Sequence, residues 1–559
     1  MSKKISDPFT IEIVKDSIIA IGDEMFNAMI RTSMSPIIYE STDFAVGLTD
    51  STGQLLAQGN GVTAFLATLD TAAVSLLEHY PNKGDIRPGD VFITNDPYSG
   101  GGTHLSDVVI ILPVFDGKTL MGFAVNKAHW TEVGGKDAGS VSTNASEIYQ
   151  EGLRFKFLRL YSRGQVNTSL IQLIRDNVRL PDSTIGDLHA GVAAARVGAT
   201  RLLDLVKKYG RKDIQTAMGS LLDYGEKMTM AEVKKLPNGV YIAEDFIESD
   251  GCGNGPFKVK VKVTISNKKM VMDFTGTDDQ STGPINCSYT GLITGARCVF
   301  KSVTNSEIPA NGGCFRMLDV VCPPGTIISA QLPAPVSLYY ESLLAAMDVV
   351  WKALAPIVPD RLPAGNQRSV NATFLSGLHP DTDEFYVMGE PLVGGWGASG
   401  DLDGDSGQFC PANGETFNIP VELAEARYGF LIQQYALHSQ EGGAGEFRGG
   451  KGVVLDYKVT ADEAFLTYAT SRYDTRPWGM NGGREGTHNY VELHKNNGDV
   501  ERHHMLTTER LEKGEVIRLY TGTGGGYGNP KKRKKSRVLE DVKNGYISKN
   551  EAKSVYGVS

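Results

Sequence analysis

Two histidines and an aspartate are the residues of this sequence best suited to hold a divalent metal: His104, Asp107 and His129. Three protein ligands would leave coordination positions open to water or substrate, as catalytic sites do and structural sites do not. An ion held that way polarises a carbonyl or activates a water. Asp43 and Asp96 are further acids that could serve as general base or join the ligands. Each residue also has a plainer reading. His104-Leu105-Ser106-Asp107 suits a hydrogen-bonded pair in a loop, and His129 suits a strand cap. Asp96-Pro97 reads as a turn and Asp43 as a strand entry. The residue types alone leave both readings open.

The elements that must bring these groups together centre on one turn. Asp116-Gly117 stands between two apolar runs, a strong hairpin signal. A two-residue loop there pairs Phe115 with Lys118, sets His104 opposite His129 and leaves Asp107 one step along the ladder. Opposed side chains lie about 5 Å apart, a workable separation for two imidazoles sharing an ion. His104 and Asp107 have opposite parity, so a regular strand would send them to opposite faces. Gly100-Gly101-Gly102 break that regularity. The pattern therefore predicts a strand starting near Asp107, with His104 in the loop before it. Both parities of Val108–Phe115 are apolar, which predicts a strand covered on both faces.

The wider chain reads as α+β: a large mixed α/β chain with a strand-rich metal-site region and a β-rich C-terminal half. Its 559 residues suggest about three or four folding units. Texture divides them into 1–235, an N-terminal α+β metal-site region; 236–360, a β-hairpin plus helix; 361–530, a glycine-rich β region; and 531–559, a helical tail. Asp7-Pro8 reads as a helix start, with Val14, Ile18, Ile21, Met25 and Met29 following at helical spacing. Phe44–Leu48 with Leu55–Gln58, and Lys258–Ile265 with Lys269–Phe274, read as hairpins. Ser342–Ile357 reads as a helix ended by Pro359.

Several functions are excluded or demoted. A net charge of −9 disfavours nucleic acid as a partner. No apolar run approaches the roughly 20 residues of a membrane span, and no secretory leader is apparent. The six cysteines form no Cys-x-x-Cys pair. Together these predict a cytoplasmic, reduced protein with buried structural cysteines. Gly445–Gly452 approaches a P-loop, but it lacks the final Ser or Thr and a strand-like run follows. Gly522–Gly528 misses the dinucleotide spacing, so no cofactor-binding loop is expected. Asp401–Ser406 lacks the glycine and glutamate of a calcium loop. Lys531–Lys535 reads as a solvated basic linker.

The chain also resembles the B-type subunits of the hydantoinase/5-oxoprolinase family. Thr42-Asp43-Phe44, Asn95-Asp96-Pro97-Tyr98, Thr103–Asp107 and Lys127-Ala128-His129 carry the likeness. So do Glu147–Leu153, Asp273–Thr277, Gly442–Gly445 and Gly522–Gly528. The resemblance implies a metal held by His104, Asp107 and His129: zinc in a hydrolase, manganese or iron in a carboxylase relative. It implies a hetero-oligomer in which an A-type partner with an ATPase fold uses ATP to activate the substrate. The B-type subunit then completes hydrolysis of a cyclic amide such as a hydantoin, 5-oxoproline or a lactam. The alternative is carboxylation of a ketone-derived enol phosphate. A third reading is a non-catalytic scaffold for the ATPase partner.

Overall fold

The computed structural model describes residues 8–65 and 68–558. Its N-terminal part is built on a seven-stranded antiparallel sheet. The strands are β1 (Phe44–Asp50), β2 (Leu55–Gln58), β3 (Val91–Thr94), β4 (Asp107–Asp116), β5 (Thr119–His129), β6 (Leu158–Ser162) and β7 (Gln165–Val166), in spatial order β2-β1-β5-β4-β3-β6-β7. β4 and β5 lie inside the sheet and are covered on both faces, as their unbroken apolar texture requires. The helix Pro181–Tyr209 packs where Gly191 meets Asn126 and Ile110. On the opposite face the helix Thr68–His79 brings Leu69 against Gly47.

The first helix runs from Pro8 to Thr32 and buries Val14, Ile18, Ile21, Met25 and Met29. Its expected cap, Asp7, lies outside the described residues. The hairpin between β4 and β5 departs from the expected register. Its loop residues are Gly117 and Lys118, with Asp116 opposite Thr119. Gly117, with φ of 62°, takes the first loop position, where a type II′ hairpin needs positive φ. A bulge between Val114 and Phe115 adds one further step. The result sets Asp107, rather than His104, opposite His129. The strand starts at Asp107, and His104 precedes it in the loop.

A four-stranded sheet, Leu318–Val321, Met270–Asp273, Phe257–Ile265 and Gly239–Ile247, lies against the helix Tyr339–Leu354. That helix starts three residues before the expected Ser342 and ends before Ile357. It is buried almost all round, so it has no polar face to mark its bounds. Two more sheets follow: Phe385–Glu390, Ala372–Leu378, Glu463–Ala469 and Met505–Glu512; then Phe430–Leu437, Val453–Val459, Val516–Tyr520, Tyr490–His494 and Val500–His503. Leu375, Tyr457, Leu466 and Leu519 belong to a core between them. The first core runs from Val14 through Val350 to Met480. The chain is thus α+β with a β-rich C-terminal half.

The basic run is not a solvated linker throughout. Arg533 is buried and bridges Asp403 and Asp541, tying the tail helix Lys535–Lys543 to the glycine-rich region. The fold neutralises this cation with two acids, one of them distant in sequence, which composition does not reveal. Among the described residues no helix is long and apolar enough to cross a membrane.

Candidate metal centre

The loop before β4 is held in shape by Asn95. Its side-chain amide donates to the carbonyls of Leu105 and Leu153 at 2.7 and 2.9 Å, and its Oδ1 accepts from Phe155 N at 2.6 Å. The glycines let this loop lie flush on the helix Thr68–His79. A Cβ at Gly101 would meet Ala72 Cβ at 2.8 Å, and Gly101 has φ of 92°. The loop thereby delivers His104 to the end of β4.

Three candidate ligand atoms converge there. His104 Nε2 lies 2.9 Å from Asp107 Oδ1 and 3.1 Å from His129 Nδ1, and the latter two are 3.3 Å apart. All three residues are buried. His104 Nδ1 donates to the carbonyl of Ser337 at 2.9 Å, which selects the tautomer whose Nε2 lone pair faces the cluster. An ion about 2.1 Å from each ligand atom needs those atoms roughly 3.0–3.4 Å apart in octahedral or tetrahedral arrangement. The separations match, and the nitrogen and oxygen donors suit a divalent metal.

The electrostatics fit the same use. Asp107 Oδ2 accepts from the Thr103 hydroxyl, and Lys127 Nζ lies 3.8 Å away. Burial opposes charge on Asp107, yet His104, Lys127 and hydrogen bonds hold its carboxyl well below the usual range. Lys127 is fully buried; it donates to Thr103 Oγ1 at 2.7 Å and lies over the Phe65 ring. Burial brings its pKa down to about 8, against the pull of Asp107 and Asp43. For His129 burial works against the charge, but the hydrogen bond to Asp107 and the nearby carboxylates raise its pKa.

Asp43 comes to the same place through the backbone: its carbonyl accepts from His129 N at 3.0 Å, just before Phe44 pairs with Ala128. Its side chain lines the cavity that the ligands open into. Burial pushes its pKa up to about 6, against the pull of His129. The preceding Thr42 has φ of 55°, an uncommon conformation for a β-branched residue, and its hydroxyl donates to Glu415 O at 2.7 Å. Asp96 goes elsewhere. Its carboxylate accepts from Ser99 Oγ at 2.7 Å and Tyr98 N at 3.2 Å, so it closes a turn in its own loop.

Sequence reasoning missed the residues that brace the ligands. Glu151 Oε1 accepts from Val336 N and Ser337 N at 2.9 and 2.8 Å, which fixes the corner whose carbonyl orients His104. Tyr339 packs edge-on against the His104 ring at 4.9 Å between centroids. Lys127 carried a signal, since it shares strand parity with His129. Glu151 and Tyr339 approach from sequence distances that no local pattern encodes.

The pattern of the hydantoinase B/oxoprolinase family matches residues 7–530. The B-type component of a putative D-/L-hydantoinase from Pseudomonas sp. (strain NS671) is 33% identical over all of this chain and 96% of its own. The beta component of the caprolactamase from Pseudomonas jessenii is 29% identical over 99% of this chain and 96% of its own. The crystal structure of the ATP-dependent caprolactamase from Pseudomonas jessenii superposes with a TM-score of 0.92 at 28% identity, over 100% of this chain and 97% of that one. A nucleotide-free acetone carboxylase structure shares the fold, with a TM-score of 0.93 at 18% identity over 99% of this chain and 80% of that one. The chain belongs to the hydantoinase B/oxoprolinase family.

Proposed function

We propose that this chain is the B-type subunit of an ATP-dependent amidohydrolase complex acting on a cyclic amide: a hydantoin, 5-oxoproline or a lactam. An A-type subunit with an ATPase fold phosphorylates the amide oxygen, and this chain hydrolyses the activated species in the cytoplasm. The observation that carries the reading is the convergence of His104 Nε2, Asp107 Oδ1 and His129 Nδ1 at a cavity, in a chain of this family.

Amide carbon is a poor electrophile because nitrogen donates into the carbonyl, and phosphorylation of the oxygen removes that resonance. Water then adds to the carbon, the ring C–N bond breaks, and the nitrogen takes a proton. The acyl phosphate that remains yields carboxylate and phosphate to a second water. A divalent metal held there, zinc first and manganese or iron as alternatives, would supply a water activated at neutral pH. The rest falls to the chain's own residues. His104, Asp107 and His129 hold the ion, and Asp43, with its pKa near 6, is the base that takes a proton from water. Phe65, Val370 and Phe374 line the cavity with apolar surface.

The fold shared with acetone carboxylase favours a second reading, carboxylation of a ketone-derived enol phosphate. The same ligands serve it, and bicarbonate dependence separates the two. The test is purification of the chain with its ATPase partner, metal analysis, and ATP consumption over hydantoins, lactams, 5-oxoproline and ketones. Bicarbonate-free, amide-dependent turnover with about one metal per chain is expected. ATP use independent of every compound on that panel would count against an enzyme and for a scaffold.

A further inference from the structure

The cavity beside the candidate ligands has a one-sided chemistry. Its walls are mainly apolar, with Val62, Phe65, Val370, Ala372, Phe374 and Ala412 among them. Apart from the candidate ligands, its charged lining groups are Asp43 and Glu390, and among the described residues no lysine or arginine lines it. Lys127 is occupied nearby: its Nζ donates to Thr103 Oγ1 at 2.7 Å and Gly101 O at 3.3 Å, and it lies over Phe65. Glu390 is saturated by Tyr457, Asn418 Nδ2 and Ile419 N. With an ion on His129 Nδ1 that ring would be neutral, and what the cavity would then offer a substrate is a set of neutral donors and one acceptor. The Tyr340 hydroxyl and His129 Nε2 are buried without protein partners, and both can donate. Asp43 can accept.

A ring amide suits that set, because its carbonyl meets donors and its N–H meets a carboxylate. A ring carboxylate does not. It would be stripped of water in an apolar space, gain no cation and face Asp43. A bound ion would be the one place for anionic charge, and the activating phosphate would take it.

We propose that the site accepts uncharged cyclic amides with apolar ring atoms or substituents, lactams and alkyl- or aryl-substituted hydantoins, and rejects 5-oxoproline for its carboxylate. This rests on the amidohydrolase reading and narrows it. It makes Val370, Ala372 and Phe374 specificity-determining residues.

The test is a matched pair, 2-pyrrolidinone and 5-oxoproline, which share a ring and differ by one carboxylate. Each is titrated calorimetrically into the metal-loaded full chain with saturating inorganic phosphate present to occupy the ion, then supplied with ATP to the chain in complex with its ATPase partner. The expected result is 5-oxoproline binding at least about 100-fold more weakly, with correspondingly little ring opening per ATP consumed. Binding and turnover of 5-oxoproline within tenfold of 2-pyrrolidinone would overturn the assignment. Val370→Arg, at a half-buried wall position, should narrow the gap by admitting a cation; a gap unchanged in a folded variant would also overturn it. If that variant fails to fold, the matched pair on the native chain still decides. If the complex turns over neither amide and its ATP use follows a ketone with bicarbonate, the amidohydrolase reading itself falls, and the specificity falls with it.

Discussion

Replacing Glu151 with glutamine tests how the candidate ligand His104 is held. Glu151 is 1% exposed, and Oε1 takes two backbone N–H groups while Oε2 has no partner. Burial pushes its pKa from 4.5 up to about 8, against the pull of those two hydrogen bonds. The sign follows from linkage. The folded state keeps its proton where the unfolded chain would release it, so the contribution is whole below about 4.5 and is lost as pH rises to about 8. At about 1.4 kcal/mol per pH step, the loss across that interval is about 5 kcal/mol at most. Glutamine keeps an acceptor oxygen and cannot titrate. Urea unfolding with chelator present should therefore show the native chain losing several kcal/mol relative to Glu151→Gln between pH 4.5 and 8. Parallel stability curves would refute the reasoning. Glu151→Ala is the harsher variant. It orphans two buried N–H groups at about 1–3 kcal/mol each. It also loosens Ser337, whose carbonyl fixes His104 Nδ1, and should weaken metal binding by about 10- to 100-fold in chelator competition.

Other expectations follow from the same geometry. His104→Ala or Asp107→Asn should purify without bound metal by elemental analysis; one ion per chain in either variant would contradict the ligand assignment. Asp43→Asn should lower turnover at least about 100-fold. Asp96→Asn should stay within tenfold, because its carboxylate serves Ser99 and Tyr98; equal losses in the two would reject that division of roles. Lys127→Met should cost about 1–3 kcal/mol in urea unfolding, since Thr103 Oγ1 and Gly101 O lose their donor in a dry site. Lys127→Arg should not rescue it, because the planar guanidinium is too large for a space that leaves Lys127 no exposure.

The candidate cluster was legible because it is local to two strands and the loop before one of them. One turn and one glycine-rich loop bring residues 104, 107 and 129 together, and both carry chemical signals in their composition. The register was less legible. Asp116-Gly117 predicted a turn correctly but assigned its glycine to the second loop position, whereas Gly117 takes the first. The bulge at Val114/Phe115 carried no signal, since every residue around it is apolar and any register buries equally well. The errors shifted Asp107 by three places, yet the predicted loop position of His104 was correct because parity demanded an irregular segment.

What was not legible is the bracing that comes from far away in sequence. Ser337 and Tyr339 lie more than two hundred residues beyond His104, at the start of a helix whose uniform burial hid its own first residue. Glu151 reads in the sequence as one more acid beside a glycine. Only the fold gives it meaning, because it sits beneath the Val336–Ser337 corner and decides which nitrogen of His104 is free. A ligand triad without that corner would be three polar groups with interchangeable protons. With Nδ1 committed to a backbone carbonyl, Nε2 is an obligate acceptor facing another imidazole and a carboxylate oxygen. His129 Nδ1 has one hydrogen to share between that lone pair and the Asp107 oxygen, which lie 2.9 Å apart in a buried site, whereas a divalent cation would satisfy all three atoms at once; that is the physical reason to expect a metal here.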